Sequence, residues 1–154
     1  DQYIDLAQNT VENGEVIVYP TDTLYGFGVD ATNTDAVQRL NRLKGRVQPL
    51  SIVLESIEQM HDYAKFDGNV QDEMKHFFPG QYTALLPAKQ NQLSPLVQNG
   101  SPKIGIRIPD HFFPIKLIQL LEKILYLIIP QGMIIQLQGR ILYWLIPQVV
   151  QIQL

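Results

Sequence analysis

Short β-branched runs that alternate with helix-length amphipathic segments constrain this chain to a layered fold. Glu15-Val16-Ile17-Val18-Tyr19 has the length and composition of a strand, and Pro20 ends it because proline brings no N–H to a ladder. From Asn33 to Leu43 the period changes: Ala36, Val37, Leu40 and Leu43 form one apolar stripe, Thr34 or Asp35 can cap it, and Gly45 supplies a sharp stop. Leu50 to Leu54, Tyr82 to Leu86 and Ile104 to Ile108 return to the strand pattern. Helices are expected over Asp1 to Asn13, Asn69 to Phe77 and Phe112 to Leu121, and Ser56 with Gln59 forms a capping-box pattern for a short helix through Ala64. Neither kind of element buries its apolar side alone, so the alternation predicts an α/β layered sheet.

The chain's 154 residues, 45% hydrophobic, fit one domain with one core. A formal charge of -3 argues against a generally basic nucleic-acid binder, and the absence of cysteine excludes a disulfide framework or thiolate metal site. No apolar run reaches the roughly 18 residues of a membrane span. The opening residues are polar and acidic, unlike a signal peptide, and the missing initiator Met suggests a fragment or a processed start. A cytoplasmic protein with no membrane partner is expected.

The stretch Tyr19-Pro20-Thr21-Asp22-Thr23-Leu24-Tyr25-Gly26-Phe27-Gly28 closes the first strand and leads into a glycine-punctuated turn, where α/β proteins place ligand-contacting groups. Taken locally, Pro20-Thr21-Asp22 fits better a common turn in which Asp22 and Thr23 bond nearby backbone. Lys44 and Arg46, around Gly45, suit a triphosphate, the first as a compact charge and the second as a planar fork; they also suit a solvated helix end complementing the macrodipole. Arg107 lies in a strand pattern with Ile106 and Ile108 on the opposite face, either as a bidentate carboxylate clamp or as an exposed strand arginine. Thr83, in Pro79-Gly80-Gln81-Tyr82-Thr83, is a weaker candidate that shapes a pocket floor. His61, His76 and His111 share no metal-ligand spacing and read as surface or capping residues. No P-loop and no G-x-S-x-G elbow occurs, and Gly26-Phe27-Gly28 lacks the third glycine of a dinucleotide fingerprint.

Together the ten-residue loop, Lys44-Gly45-Arg46, Pro79-Gly80-Gln81-Tyr82-Thr83 and Gly105-Ile106-Arg107-Ile108-Pro109 resemble the YrdC-like family of threonylcarbamoyl-adenylate synthases, from about Glu15 to about Leu121. The resemblance implies a three-layer α/β (α+β) fold, a twisted mixed sheet flanked by helices. It implies a synthase that joins L-threonine, bicarbonate and ATP into L-threonylcarbamoyl-AMP with release of pyrophosphate, for modification of a tRNA adenosine. Thr21, Thr23, Tyr25 and Arg107 would then bind threonine, and Lys44 and Arg46 the nucleotide, with Asp22 and Thr83 as weaker positions. ATP with Mg2+, and the proteins of the tRNA threonylcarbamoyl-transfer machinery, are the implied ligands and partners. Such a reaction develops charge on phosphate and carboxylate oxygens, so it needs fixed cations and donors more than a strong base. Two other readings share the resemblance: a non-catalytic module for double-stranded RNA or tRNA, and a carbamoyl-transfer domain like those of hydrogenase-maturation proteins. Against the last, no acylphosphatase-like or zinc-finger segment precedes the domain here.

The division expected is a domain over 1–123 and an aberrant tail over 124–154. From Ile124 to Leu154 there is no Asp, Glu, Ser, Thr, Asn, Ala or Lys, and Arg140 is the single charge. Natural elements carry caps, turn formers and a charged outer face. Joining the last base of each codon to the first two of the next permits Ser from Tyr126-Leu127, Asn from Ile128-Ile129, and onward S-x-N-T-S-G-D-D-N-P-T-T-G. That string follows the family's Ser-Ala-Asn, Ser-Gly and Pro-Thr order, so the tail is expected to be a frameshifted reading; if the frame is genuine, the alternative is an inactive, truncated relative. Leu127-Ile128 departs from it, since no choice of codons there yields Ala.

Overall fold

In the computed structural model the described residues are 2–23, 25–45, 51–122, 125–128, 133–137 and 141–144, the last three stretches as strand backbone. The elements in order are α1 (Gln2–Glu12), β1 (Ile17–Pro20), β2 (Tyr25–Asp30), α2 (Thr34–Lys44), β3 (Ser51–Val53), a 3₁₀ turn (Glu58–Asp62), α3 (Gly68–Met74), β4 (Tyr82–Pro87), α4 (Pro95–Gln98), β5 (Lys103–Arg107), α5 (Phe112–Leu121), β6 (Leu125–Ile128), β7 (Met133–Leu137) and β8 (Ile141–Trp144). The strands form one mixed sheet in the order β1-β2-β6-β3-β5-β4-β7-β8. β3–β5 and β4–β7 are parallel and the remaining pairs antiparallel.

Helices cover both faces. Period-two alternation sends Ile52 to one side and Val53 to the other. On the first side Val29, Ile52, Ile104 and Ile106 pack with Ala36, Val37 and Leu40 of α2, Met60 and Met74. On the second, Ile17, Tyr19 and Val53 pack with Ile4, Ala7 and Val11 of α1 and Leu117, Ile118 and Leu121 of α5. The three-layer α/β expectation is met.

Local chemistry explains most boundaries. α2 is capped by Asn33, whose side chain accepts from the Ala36 N–H at 3.1 Å, and not by Thr34 or Asp35, which lie inside the helix. Gly45 closes it at φ 61, donating its N–H to Arg42. Ser56 Oγ accepts from Gln59 N at 3.2 Å while Gln59 Oε1 takes the Glu55 N–H at 3.0 Å, so the capping exchange forms but supports a 3₁₀ turn.

β2 is a correction to the sequence reading, which has a turn over Gly26-Phe27-Gly28. These glycines are strand residues opposite Tyr19 and Ile17. A Cβ on Gly28 would stand 2.6 Å from the Tyr19 ring, so the missing side chain is what lets that ring lie across the strand. α4, begun by Ser94 and Pro95, is a second element the periodicity did not indicate.

Candidate ligand loop and its buried arginine

Pro20 ends β1, and the chain turns through Thr21, Asp22 and Thr23 before β2 begins at Tyr25. Thr21 Oγ1 lies 3.1 Å from Thr23 Oγ1 and accepts the Thr23 N–H at 3.2 Å, so the two hydroxyls lock the bend. Asp22 makes the longer-range contacts. Its Oδ1 accepts from Arg107 Nη2, its Oδ2 accepts from Asp110 N at 3.0 Å, and its carbonyl accepts from Gln81 Nε2 at 3.4 Å. One carboxylate thus joins the loop to the end of β5 and the approach to α5.

Arg107 is the core of the arrangement. It has no exposed surface, which removes the exposed-arginine alternative, and alternation with Ile106 and Ile108 puts it on the α1/α5 side of the sheet. Nη2 also donates to Thr23 Oγ1 at 3.1 Å. Nε and Nη1 are buried and, among the described residues, have no hydrogen-bond partner, and the same holds for the hydroxyl of Tyr19. Burial lowers the Arg107 pKa, and the Asp22 carboxylate partly offsets this. Burial also pushes the Tyr19 hydroxyl far above its ordinary range, against a smaller opposing pull from Arg107. Tyr19 is therefore neutral and Arg107 is held cationic by a paired carboxylate, beneath a loop of hydroxyls.

The structure brings Thr21, Asp22, Thr23 and Arg107 together. Thr83 is buried in β4; its neighbour Ala84 pairs with Ile106, so Thr83 shares the Arg107 face. Tyr25 is 67% exposed at the start of β2. Lys44 ends α2 on the opposite side of the sheet, its Nζ 4.0 Å from the centre of the Phe27 ring. Arg46 lies outside the described residues. Tyr19 and Phe27 have no role in the sequence reading; their signals are period-two alternation with Ile17 for Tyr19 and the flanking Gly26 and Gly28 for Phe27. His111 Nδ1 accepts from Phe113 N at 3.1 Å and caps α5, while His61 stacks on Phe66 and meets Gln71 at 2.7 Å. Among the described residues no group of three or more His, Asp or Glu side chains is placed to hold a metal. Asp22, the carboxylate in the loop, has both oxygens engaged.

The sequence and the fold have counterparts among known proteins. The family model for Sua5, YciO and YrdC, described as "Telomere recombination", matches residues 9–134, which extends beyond the Glu15–Leu121 motifs at both ends. A threonylcarbamoyl-AMP synthase of Bacillus subtilis is 38% identical over 122 residues, covering 77% of this chain and 35% of the relative. The Pyrococcus abyssi Sua5 structure, solved with L-threonine, superposes with a TM-score of 0.76 at 31% identity, over 82% of this chain and 38% of that one. Escherichia coli YciO gives a TM-score of 0.74 at 26% identity, over 82% and 63%. The chain spans about a third of the Bacillus relative's length. With the family model matching most of its residues, and its fold superposing on solved members, the chain belongs to the Sua5/YciO/YrdC family.

Proposed function

We propose that the chain is the ligand-binding domain of a synthase that forms L-threonylcarbamoyl-AMP from L-threonine, bicarbonate and ATP, releasing pyrophosphate. The observation that carries this reading is the loop of Thr21 and Thr23 hydroxyls braced from below by the buried Arg107–Asp22 pair. It is supported by similarity to relatives named threonylcarbamoyl-AMP synthase and to a Sua5 crystallised with threonine.

In this reading the threonine amine adds to the bicarbonate carbon and water leaves, giving a carbamate. A carbamate oxygen then attacks the α-phosphorus, and the bond to the bridging oxygen breaks as pyrophosphate departs. Thr21, Thr23 and Tyr25 orient the amino acid. Arg107, with no exposed surface, acts from beneath by fixing Thr23 and Asp22 rather than by meeting the carboxylate itself. Lys44 and Arg46 stabilise charge on the phosphates. The described residues form no cage for a resident cation, so Mg2+ is read as arriving on the phosphates of ATP. The product would pass to the proteins of the tRNA threonylcarbamoyl-transfer machinery in the cytoplasm.

The tail after Lys123 is read as a frameshifted segment that has lost the Ser and Asn expected to complete the pocket. Threonine binding by calorimetry, and pyrophosphate release with each substrate omitted in turn, test both statements. The chain as it stands should bind threonine with negligible turnover, and a version with the frame restored after Lys123 should release pyrophosphate only with all three substrates. Turnover of order 1 per second by the present chain, within the usual enzyme range, would sink the frameshift reading. Absence of threonine binding in both versions, with salt-sensitive binding of double-stranded RNA or tRNA, would replace the synthase by the non-catalytic module.

A further inference from the structure

The Lys44 ammonium sits 4.0 Å from the centroid of the Phe27 ring, and among the described residues no carboxylate pairs with it. Both side chains are half-buried. Phe27 is anchored from beneath: it shares a face with Val29 and packs against the core on the α2 side. Lys44 is the last residue of α2, and the left-handed Gly45 turns the backbone away directly after it. A lysine here, with four rotatable stem bonds, would ordinarily spread through solvent. The ring's electron-rich face instead holds the ammonium in one place while leaving its charge uncompensated by any carboxylate among the described residues.

We propose that Phe27 is a positioning residue for nucleotide binding. Its ring holds Lys44 poised, without a counter-ion, so that a phosphate oxygen of ATP supplies the missing negative charge. The inference rests on reading Lys44 as a phosphate ligand and deepens it. A lysine held by a carboxylate would have to give up an ion pair before meeting phosphate; a lysine held by a ring gives up only a weak contact, or keeps it.

The test measures ATP affinity, with magnesium, for the wild-type chain, Phe27→Leu, Phe27→Tyr and Lys44→Ala, and threonine affinity alongside. Phe27→Leu keeps the apolar packing but removes the ring face, and it should weaken ATP by roughly 3- to 10-fold while leaving threonine unchanged. Phe27→Tyr keeps a cation-binding face and should stay close to wild type. If Lys44→Ala weakens ATP but Phe27→Leu does not, the positioning role is wrong and the phosphate role survives. If Lys44→Ala has no effect, the phosphate role fails and takes this inference with it. Equal losses for ATP and threonine in Phe27→Leu, with a lowered melting temperature, would mean the ring is only packing, which also overturns the proposal. A second readout needs no variant to fold: in the wild-type chain the Lys44 side-chain proton shifts should be moved upfield by the ring and respond to added ATP. Random-coil Lys44 shifts in the free chain would refute the proposal.

Discussion

At the scale of single residues, Asp22 has the widest reach, since its oxygens serve Arg107 and the backbone of Asp110. Replacing it with alanine leaves a cation buried without its carboxylate, for which the expected loss is about 3–5 kcal/mol in urea unfolding. A loss below about 1 kcal/mol would mean that water reaches Arg107 and screens it. Tyr19→Phe should behave in the opposite way. It deletes a buried hydroxyl that has no partner among the described residues and keeps the ring that stacks 6.2 Å from Phe113, so stability should stay within about 1 kcal/mol of wild type or rise. A loss near 2 kcal/mol would show that the hydroxyl is satisfied in solution. The candidate residues themselves were legible, because a Thr-Asp-Thr turn after a strand and an arginine alternating with isoleucines are local patterns. The burial of Arg107 was not, because alternation names a face and says nothing of what α1 and α5 lay over it.

At the scale of elements, propensity and pattern recovered the helices well and the glycine-rich segment badly. The α2 stripe and its Gly45 stop were plain in the sequence, and α5 spans Phe112–Leu121 as the periodicity predicted. The cap was misplaced by one or two residues, since Asn33, Thr34 and Asp35 all cap well and only the backbone decides which stands outside the helix. Asn33→Ala should therefore cost about 1 kcal/mol by thermal or urea unfolding, whereas Thr34→Ala should cost a few tenths. Equal effects would argue that the cap is shared. β2 went unseen for a physical reason: glycine weakens local strand preference, and the compensating contact, Tyr19 against Gly28, exists only once β1 and β2 pair. Gly105 repeats the logic in β5, where a Cβ would meet Ser51 Oγ at 2.8 Å.

At the scale of the whole molecule the pairing order puts an unusual segment at the centre. β6, from the tail, lies between β2 and β3, and among the described residues it supplies the ladder that joins the β1-β2 hairpin to β3-β5-β4. A chain ending at Lys123 should then lose cooperative unfolding: two transitions, or a broad one with a lowered urea slope, are expected by circular dichroism. A single sharp transition at the original midpoint would show that helices alone hold the two parts together. The sequence by itself determined the class of elements, their alternation, the candidate ligand loop and the family to which the chain belongs, because each depends on neighbours within a few residues. Only the tertiary structure decided that Arg107 is buried on Asp22, that Lys44 rests on Phe27 from the other side of the sheet, and that β6 closes the sheet between β2 and β3. Those contacts join residues far apart in the chain, where no local period or spacing can register them.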